Sequence, residues 1–201
     1  MNRLMRLLVI LVLAGMLVPG AQAITDPDPD LLGVFFDIFG DQTATVAPPT
    51  APFLAYFILT NPVSPEILGY EFSYHLQVDP AGMESSVVLL GHFPPPGIIE
   101  VTLPVYGAID GEVLLSWPAP VPTASTVILM TFQYMLVGDL QAQITTGPVA
   151  NETVPNGLPA YWDGTGYVFS LGRPDCSGLV NSFCGVAVET QSFSTVKALY
   201  R

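Results

Sequence analysis

The sequence predicts an all-β domain built as an antiparallel β-sandwich, and three observations predict it. Apolar and polar residues alternate at period two in one run after another. Proline and glycine clusters separate those runs at short intervals. Between residues 24 and 190 no stretch carries the three-to-four spacing of an amphipathic helix.

The clearest run is Leu68 to Asp79. Leu68, Tyr70, Phe72, Tyr74, Leu76 and Val78 alternate with Gly69, Glu71, Ser73, His75, Gln77 and Asp79. The first set should face a core and the second set water. The same pattern marks Ile99, Val101, Leu103 and Val105, then Val113, Leu115 and Trp117, then Ile128, Met130, Phe132, Tyr134 and Leu136. It is weaker at Leu140, Ala142 and Ile144. Phe53 to Leu59 is apolar on both sides and reads as a central strand. Leu31 to Phe39 and Val87 to Phe93 are further strand candidates. The breakers are Pro48-Pro49, Asn61-Pro62, Asp79-Pro80, Pro94-Pro95-Pro96-Gly97, the prolines from Pro118 to Pro122, and Asn156-Gly157. Asp163-Gly164 between Tyr161-Trp162 and Tyr167-Val168 predicts a hairpin with a loop longer than two residues.

The N-terminal residues have the three parts of a secretory signal peptide. Arg3 and Arg6 open it, Leu7 to Val18 is apolar, and Pro19-Gly20 break the helix. Ala21 and Ala23 place small residues where a signal peptidase reads, so cleavage is expected after Ala23. The apolar run is well short of the ~20 residues of a spanning helix. The expected organisation is a signal peptide at 1–23, an acidic linker at 24–30, a sandwich domain at 31–190 and a tail at 191–201. Ser194 is placed to cap a short helix from Thr195 to Tyr200. The expected product is soluble, and periplasmic or secreted, with no transmembrane segment after processing.

Beyond residue 23 the chain holds three basic residues, Arg173, Lys197 and Arg201, against 17 acids, a formal charge of −14. Nucleic-acid binding needs a basic footprint, and none exists. The charge favours solubility, and it invites Ca²⁺ or a cationic partner. Asp26, Asp28 and Asp30 alternate with proline in a way that suits an extended linker more than a cation site. No cofactor motif is present, and any metal site stays unassigned. Half of the residues are hydrophobic, which disorder does not tolerate.

The two cysteines, Cys176 and Cys184, are expected to form a disulfide in an exported chain. Closing so small a loop stabilises by about 2–3 kcal/mol in the loop-entropy account.

Two resemblances follow from particular residues. Phe57-Ile58-Leu59-Thr60-Asn61, then Gly69 to Leu76 and Asp79-Pro80, resemble the early strands of cohesin-like β-sandwiches. Leu129 to Tyr134 looks like a later strand of that family. The implied fold is an immunoglobulin-like or cohesin-like antiparallel sandwich. The cysteine pair departs from the cohesin pattern, and no dockerin-contacting residue carries over. Separately, Phe193 to Arg201 is similar to a tail ending Val-Lys-Ala-Leu-Tyr-Arg on exported proteins of environmental bacteria. That implies a secreted β-domain and no particular activity.

The chemistry-bearing residues are sparse. His75 and His92 are the only histidines. Glu71, His75 and Asp79 share a face, but steps of four residues separate them by about 13 Å each. No metalloprotease, nucleophile-elbow or phosphate-loop motif occurs. Trp117 shares a face with Val113 and Leu115 and reads as core. Tyr161, Trp162 and Asp163 form the exposed candidate for stacking on a sugar ring. The expected function is therefore a non-catalytic exported module for extracellular binding or surface structure, with an unassigned protein or polysaccharide partner. The alternatives are a carbohydrate-binding module and a hydrolase using two carboxylates.

Overall fold

The computed structural model describes residues 28–100, 105–153, 157–166, 168–172 and 177–182. The signal peptide with Ala21 and Ala23, both cysteines and the C-terminal helix lie outside the described residues.

Among the described residues thirteen strands run in chain order: β1 (Leu31–Phe35), β2 (Ala44–Thr45), β3 (Pro52–Thr60), β4 (Glu66–Asp79), β5 (Val87–Phe93), β6 (Ile99–Glu100), β7 (Val105–Tyr106), β8 (Asp110–Pro122), β9 (Thr126–Leu136), β10 (Gln141–Gly147), β11 (Ala160–Trp162), β12 (Val168–Ser170) and β13 (Leu179–Val180). The only helical turn among the described residues is a 3-10 turn at Glu84–Ser86. A four-stranded sheet has the order β1-β3-β9-β5. In the larger sheet β4 is central, flanked by β8 on one side and by β10 and β11 on the other. Among the described residues all pairings between these strands are antiparallel except β13 with β2.

Long strands arise where β-branched and aromatic residues alternate with small polar ones, and β4 is the extreme case. Its inward residues Tyr70, Phe72, Tyr74, Leu76 and Val78 are buried as the alternation predicts. Its first turn of the pattern is shifted. A bulge between Ile67 and Gly69 turns Ile67 into the core and leaves Leu68 half-buried. A second bulge in β9 skips Leu129, so Leu129 and Met130 are both buried and Ile128 is not. The expected inward Ile99 is 56% exposed, and Ile98 packs on the core instead. Residues 101–104 are outside the described set.

The strand expected over Leu31 to Phe39 stops at Phe35. Asp37 Oδ1 accepts the backbone N–H groups of Asp41 (2.9 Å) and Gln42 (3.2 Å), which folds the chain back as a loop. Phe53 to Leu59 lies between β1 and β9, as a central strand should.

The two sheets meet through aromatic rings. Phe57 stacks on Phe72 at 5.2 Å and meets Phe132 edge-on at 5.2 Å. Tyr74 lies 4.7 Å from Phe132, and Tyr70 lies 5.6 Å from Trp117. Each such side chain contributes about 1.5–3 kcal/mol by leaving water. The phenols still need partners. Tyr70 donates across the sandwich to the carbonyl of Leu129, the residue the β9 bulge sets free. Tyr74 donates to Gly107 O at 2.8 Å.

One edge of the small sheet is closed by backbone. Gly178 donates to Val34 O in β1, and its own carbonyl accepts from Ile144 in β10, both at 2.8 Å. Its φ is +71°, and a Cβ there would stand 2.1 Å from Ile144 O, so only glycine fits.

Burial pushes the phenols of Tyr70, Tyr74, Tyr134 and Tyr161 well above the ordinary tyrosine value of 10.0. Above pH 10 an unfolded chain releases those protons while the folded chain retains them. Stability is therefore complete below that pH and falls as pH rises through it, by up to about 1.4 kcal/mol per pH unit for each buried phenol. In an alkaline titration, tyrosinate absorbance should show an early exposed fraction of the eight tyrosines. A late cooperative step should follow, coinciding with loss of near-UV circular dichroism. A single smooth ionisation with the fold intact would contradict this.

Candidate functional site

The outer face of the larger sheet gathers the polar chemistry of the described residues. Strand alternation turns Ser73, His75, Gln77 and Asp79 of β4 outward. The register sets Glu112 beside Ser73 and Asp110 beside His75 on the β8 side. On the β10 side, Thr145 faces His75, Gln143 faces Gln77, and Gln141 faces Asp79.

The segment that follows β10 turns over this face and hollows it. A groove of about 680 Å³ is lined by Ser73, His75, Asp110, Glu112, Val149 and Glu152 among others. A smaller hollow of about 270 Å³ lies further along the same strands, between Gln77, Asp79, Gln141 and Gln143. His75 Nδ1 and Asp110 Oδ1 are 2.5 Å apart, and both side chains are exposed. A pair so wet is worth no more than about 1 kcal/mol. It orients the imidazole at the groove mouth.

Carboxylates hold the overlying segment. Glu112 Oε1 accepts the N–H of Ala150 at 2.8 Å. Glu71 was expected on the wet face beside His75, but it is 1% exposed. Its two oxygens accept the backbone N–H of Thr153 (2.7 Å) and the Thr153 hydroxyl (2.6 Å). The segment closes over it, so it is a structural anchor that its place in the alternation did not reveal.

The aromatic candidate does not converge. Consecutive strand residues point to opposite faces, so Tyr161 and Trp162 cannot share a surface. Tyr161 is 0% exposed and stacks on Phe169 at 4.8 Å. Its hydroxyl donates to Asp30 Oδ1 (2.8 Å) and accepts from Ser64 N (3.2 Å). Trp162 is outward and half-buried, with its ring against Gly69, where an added Cβ would meet it at 2.2 Å. Asp163 organises the hairpin turn, accepting from Thr165 N and Oγ1 at 2.9 and 2.7 Å. Trp117 is core, with its indole N–H donating to Pro96 O at 3.3 Å. His92 sits at the end of β5, its ring 4.0 Å from that of Tyr106.

Asp30 is not a free linker acid. Besides Tyr161, it accepts Val63 N at 2.9 Å, and its carbonyl accepts Gly172 N. Among the described residues no three His, Cys, Asp or Glu side chains are placed to hold a metal ion. Among them, too, no helix is long and apolar enough to cross a membrane.

No family model and no curated protein matches the chain. Solved structures do. A type II cohesin domain from the cellulosome of Acetivibrio cellulolyticus superposes with a TM-score of 0.52 at 9% identity, covering 77% of this chain and 96% of its own. The sixth cohesin of scaffoldin B from the same organism, solved in complex with a dockerin, gives 0.51 at 10% identity, with coverages of 78% and 100%. A type I cohesin–dockerin complex from Clostridium thermocellum gives 0.51 at 9% identity, with coverages of 76% and 98%. The fold is a cohesin-like β-sandwich.

Replacing Glu71 by leucine strands the Thr153 N–H and hydroxyl without acceptors. The expected cost is about 2–3 kcal/mol in chemical denaturation, with faster amide exchange across Val149 to Thr153. Glu71→Gln keeps one acceptor oxygen and should recover much of the loss. Equal stability of Glu71→Leu and the parent would remove the anchoring role.

Proposed function

We infer that this chain is an exported, non-catalytic module that binds a protein through the outer face of its larger sheet. One observation carries the reading. The face is polar, hollowed and carried on paired strands, so its side chains are presented on a rigid frame. A cohesin-like fold supports it, since two of the similar structures are cohesins bound to a dockerin. The partner here is left as a protein with hydrogen-bonding and basic groups, because this face offers carboxylates, amides and hydroxyls. Export rests on the signal-peptide pattern of residues 1–23.

A catalytic reading has less support. Ser73 is two residues from His75 on one strand, about 7 Å by strand rise, too far for a nucleophile and its base. Glu112 and Glu152 both line the groove, yet each accepts a backbone N–H, Glu152 from Gly157 at 2.9 Å.

The test is capture from the exported proteins of the producing organism, run with the parent chain and with a His75→Ala, Gln77→Ala, Gln143→Ala variant. A specific partner should bind the variant at least about tenfold more weakly, with thermal stability unchanged. Identical capture by both chains would rule this face out.

The outward Trp162 supports a second reading, in which the same sheet binds a carbohydrate. In that case insoluble polysaccharide should retain the parent, and Trp162→Ala should elute unretained. A parent that is not retained ends that reading.

A further inference from the structure

The last described strand delivers the chain to the polar face of the larger sheet. β13 sets Leu179 beside Gln143 and Val180 beside Ala142, so it runs toward the Gln141 end of β10. Asn181 then fixes the exit. Its side-chain amide donates to Ala47 O at 3.0 Å and Leu140 O at 2.8 Å, and its Oδ1 accepts the N–H of Ala47 at 2.8 Å. The next residue, Ser182, is part of the wall of the smaller hollow, with Gln77, Asp79, Gln141 and Gln143. Residues 183–201 follow it. They hold Lys197 and Arg201, two of the three bases beyond residue 23, against one acid, Glu189. Lys197 is the only lysine of the chain.

We propose that residues 183–201 fold back over the outer face of the larger sheet and set Lys197 and Arg201 against its carboxylates. Charge, reach and tethering support this. Asp79 stands at the hollow beside the exit, and Asp110, Glu112 and Glu152 line the groove. The strands of the four-stranded sheet carry no Asp or Glu, so they offer the two bases nothing. From Asp79 to His75 is about 13 Å along β4, a distance that four extended residues cover. The stretch from Ser182 to Lys197 is therefore long enough to reach the groove and to turn on the way. Exposed ion pairs are individually weak. A tethered pair needs little affinity, because a short flexible linker presents it at a millimolar effective concentration. The contact covers the amides and carboxylates that a partner would use. It rests on the proposed function only for its consequence, that a partner must displace residues 183–201 before it docks.

A lone lysine makes the test specific. A zero-length carbodiimide joins an amine to a carboxylate that touches it. In the chain expressed from its full-length gene, at about 0.01 M salt, mass spectrometry should find Lys197 joined to Asp79, Asp110, Glu112 or Glu152. Mixing isotope-labelled with unlabelled chain should place that link within one copy. At about 1 M salt the screening length is about 3 Å, and the yield should fall severalfold. The absence of any Lys197 link overturns the proposal. So do links to Asp37 or Asp163 in equal yield, links found only between copies, or a yield that salt leaves unchanged. Lys197→Glu combined with Arg201→Glu should raise capture of a partner severalfold, and unchanged capture overturns the competition. A chain that forms the link yet captures no protein overturns the partner reading and leaves the internal contact standing.

Discussion

The structure depends on one contact layer, the aromatic seam where Phe57 and Phe132 of the small sheet meet Phe72 and Tyr74 of the large one. Neither sheet can bury its apolar side alone. The rings are large enough to span the gap between sheets, and their offset and edge-on geometries lock the sheets at a single spacing. Tyr70 then adds direction, because its hydroxyl reaches a carbonyl that exists only where β9 bulges. Packing sets the distance, and the buried phenols set the register.

A second constraint follows from composition. Beyond residue 23 seventeen acids share three bases, so most acids need other donors, and several accept backbone N–H groups. Asp37, Glu112, Glu152 and Asp163 each accept a main-chain N–H in a loop or turn. Asp30 and Glu71 do the same at the margins of the core. These bonds are charge-assisted and local. They tie loops to the sandwich without ion pairs, and they concentrate negative charge on the loops and the larger sheet. The charge of the chain is therefore also a means of fastening its connections.

Much of the architecture was legible because period-two alternation is a direct consequence of the pleat. The strands at Leu68 to Asp79, Val87 to Phe93 and Val113 to Trp117 fall where the pattern put them. What was not legible depends on partners far away in the chain. The bulges that turn Ile67 and Leu129 inward arise from cross-strand register, which a single strand does not contain. Glu71 looks like its neighbours Ser73 and His75 until the segment ending at Thr153 covers it. Tyr161 and Trp162 read as one aromatic cluster in sequence, and the pleat sends them to opposite sides. The pairing of His75 with Asp110 joins residues 35 apart through strand register alone.

The two outer faces are therefore distinct surfaces with different physical uses. A polar face that keeps its waters can discriminate, because each misplaced partner leaves an amide or carboxylate unpaired. The outer side of the small sheet, where Leu54, Leu90 and Phe93 are exposed on strands without charge, has few groups that could discriminate in this way. On a strongly acidic chain that contrast is set by where the carboxylates fall, on β4, on β8 and in the loops. The missing charge on β3, β5 and β9 is thus significant only because carboxylates crowd the rest of the molecule.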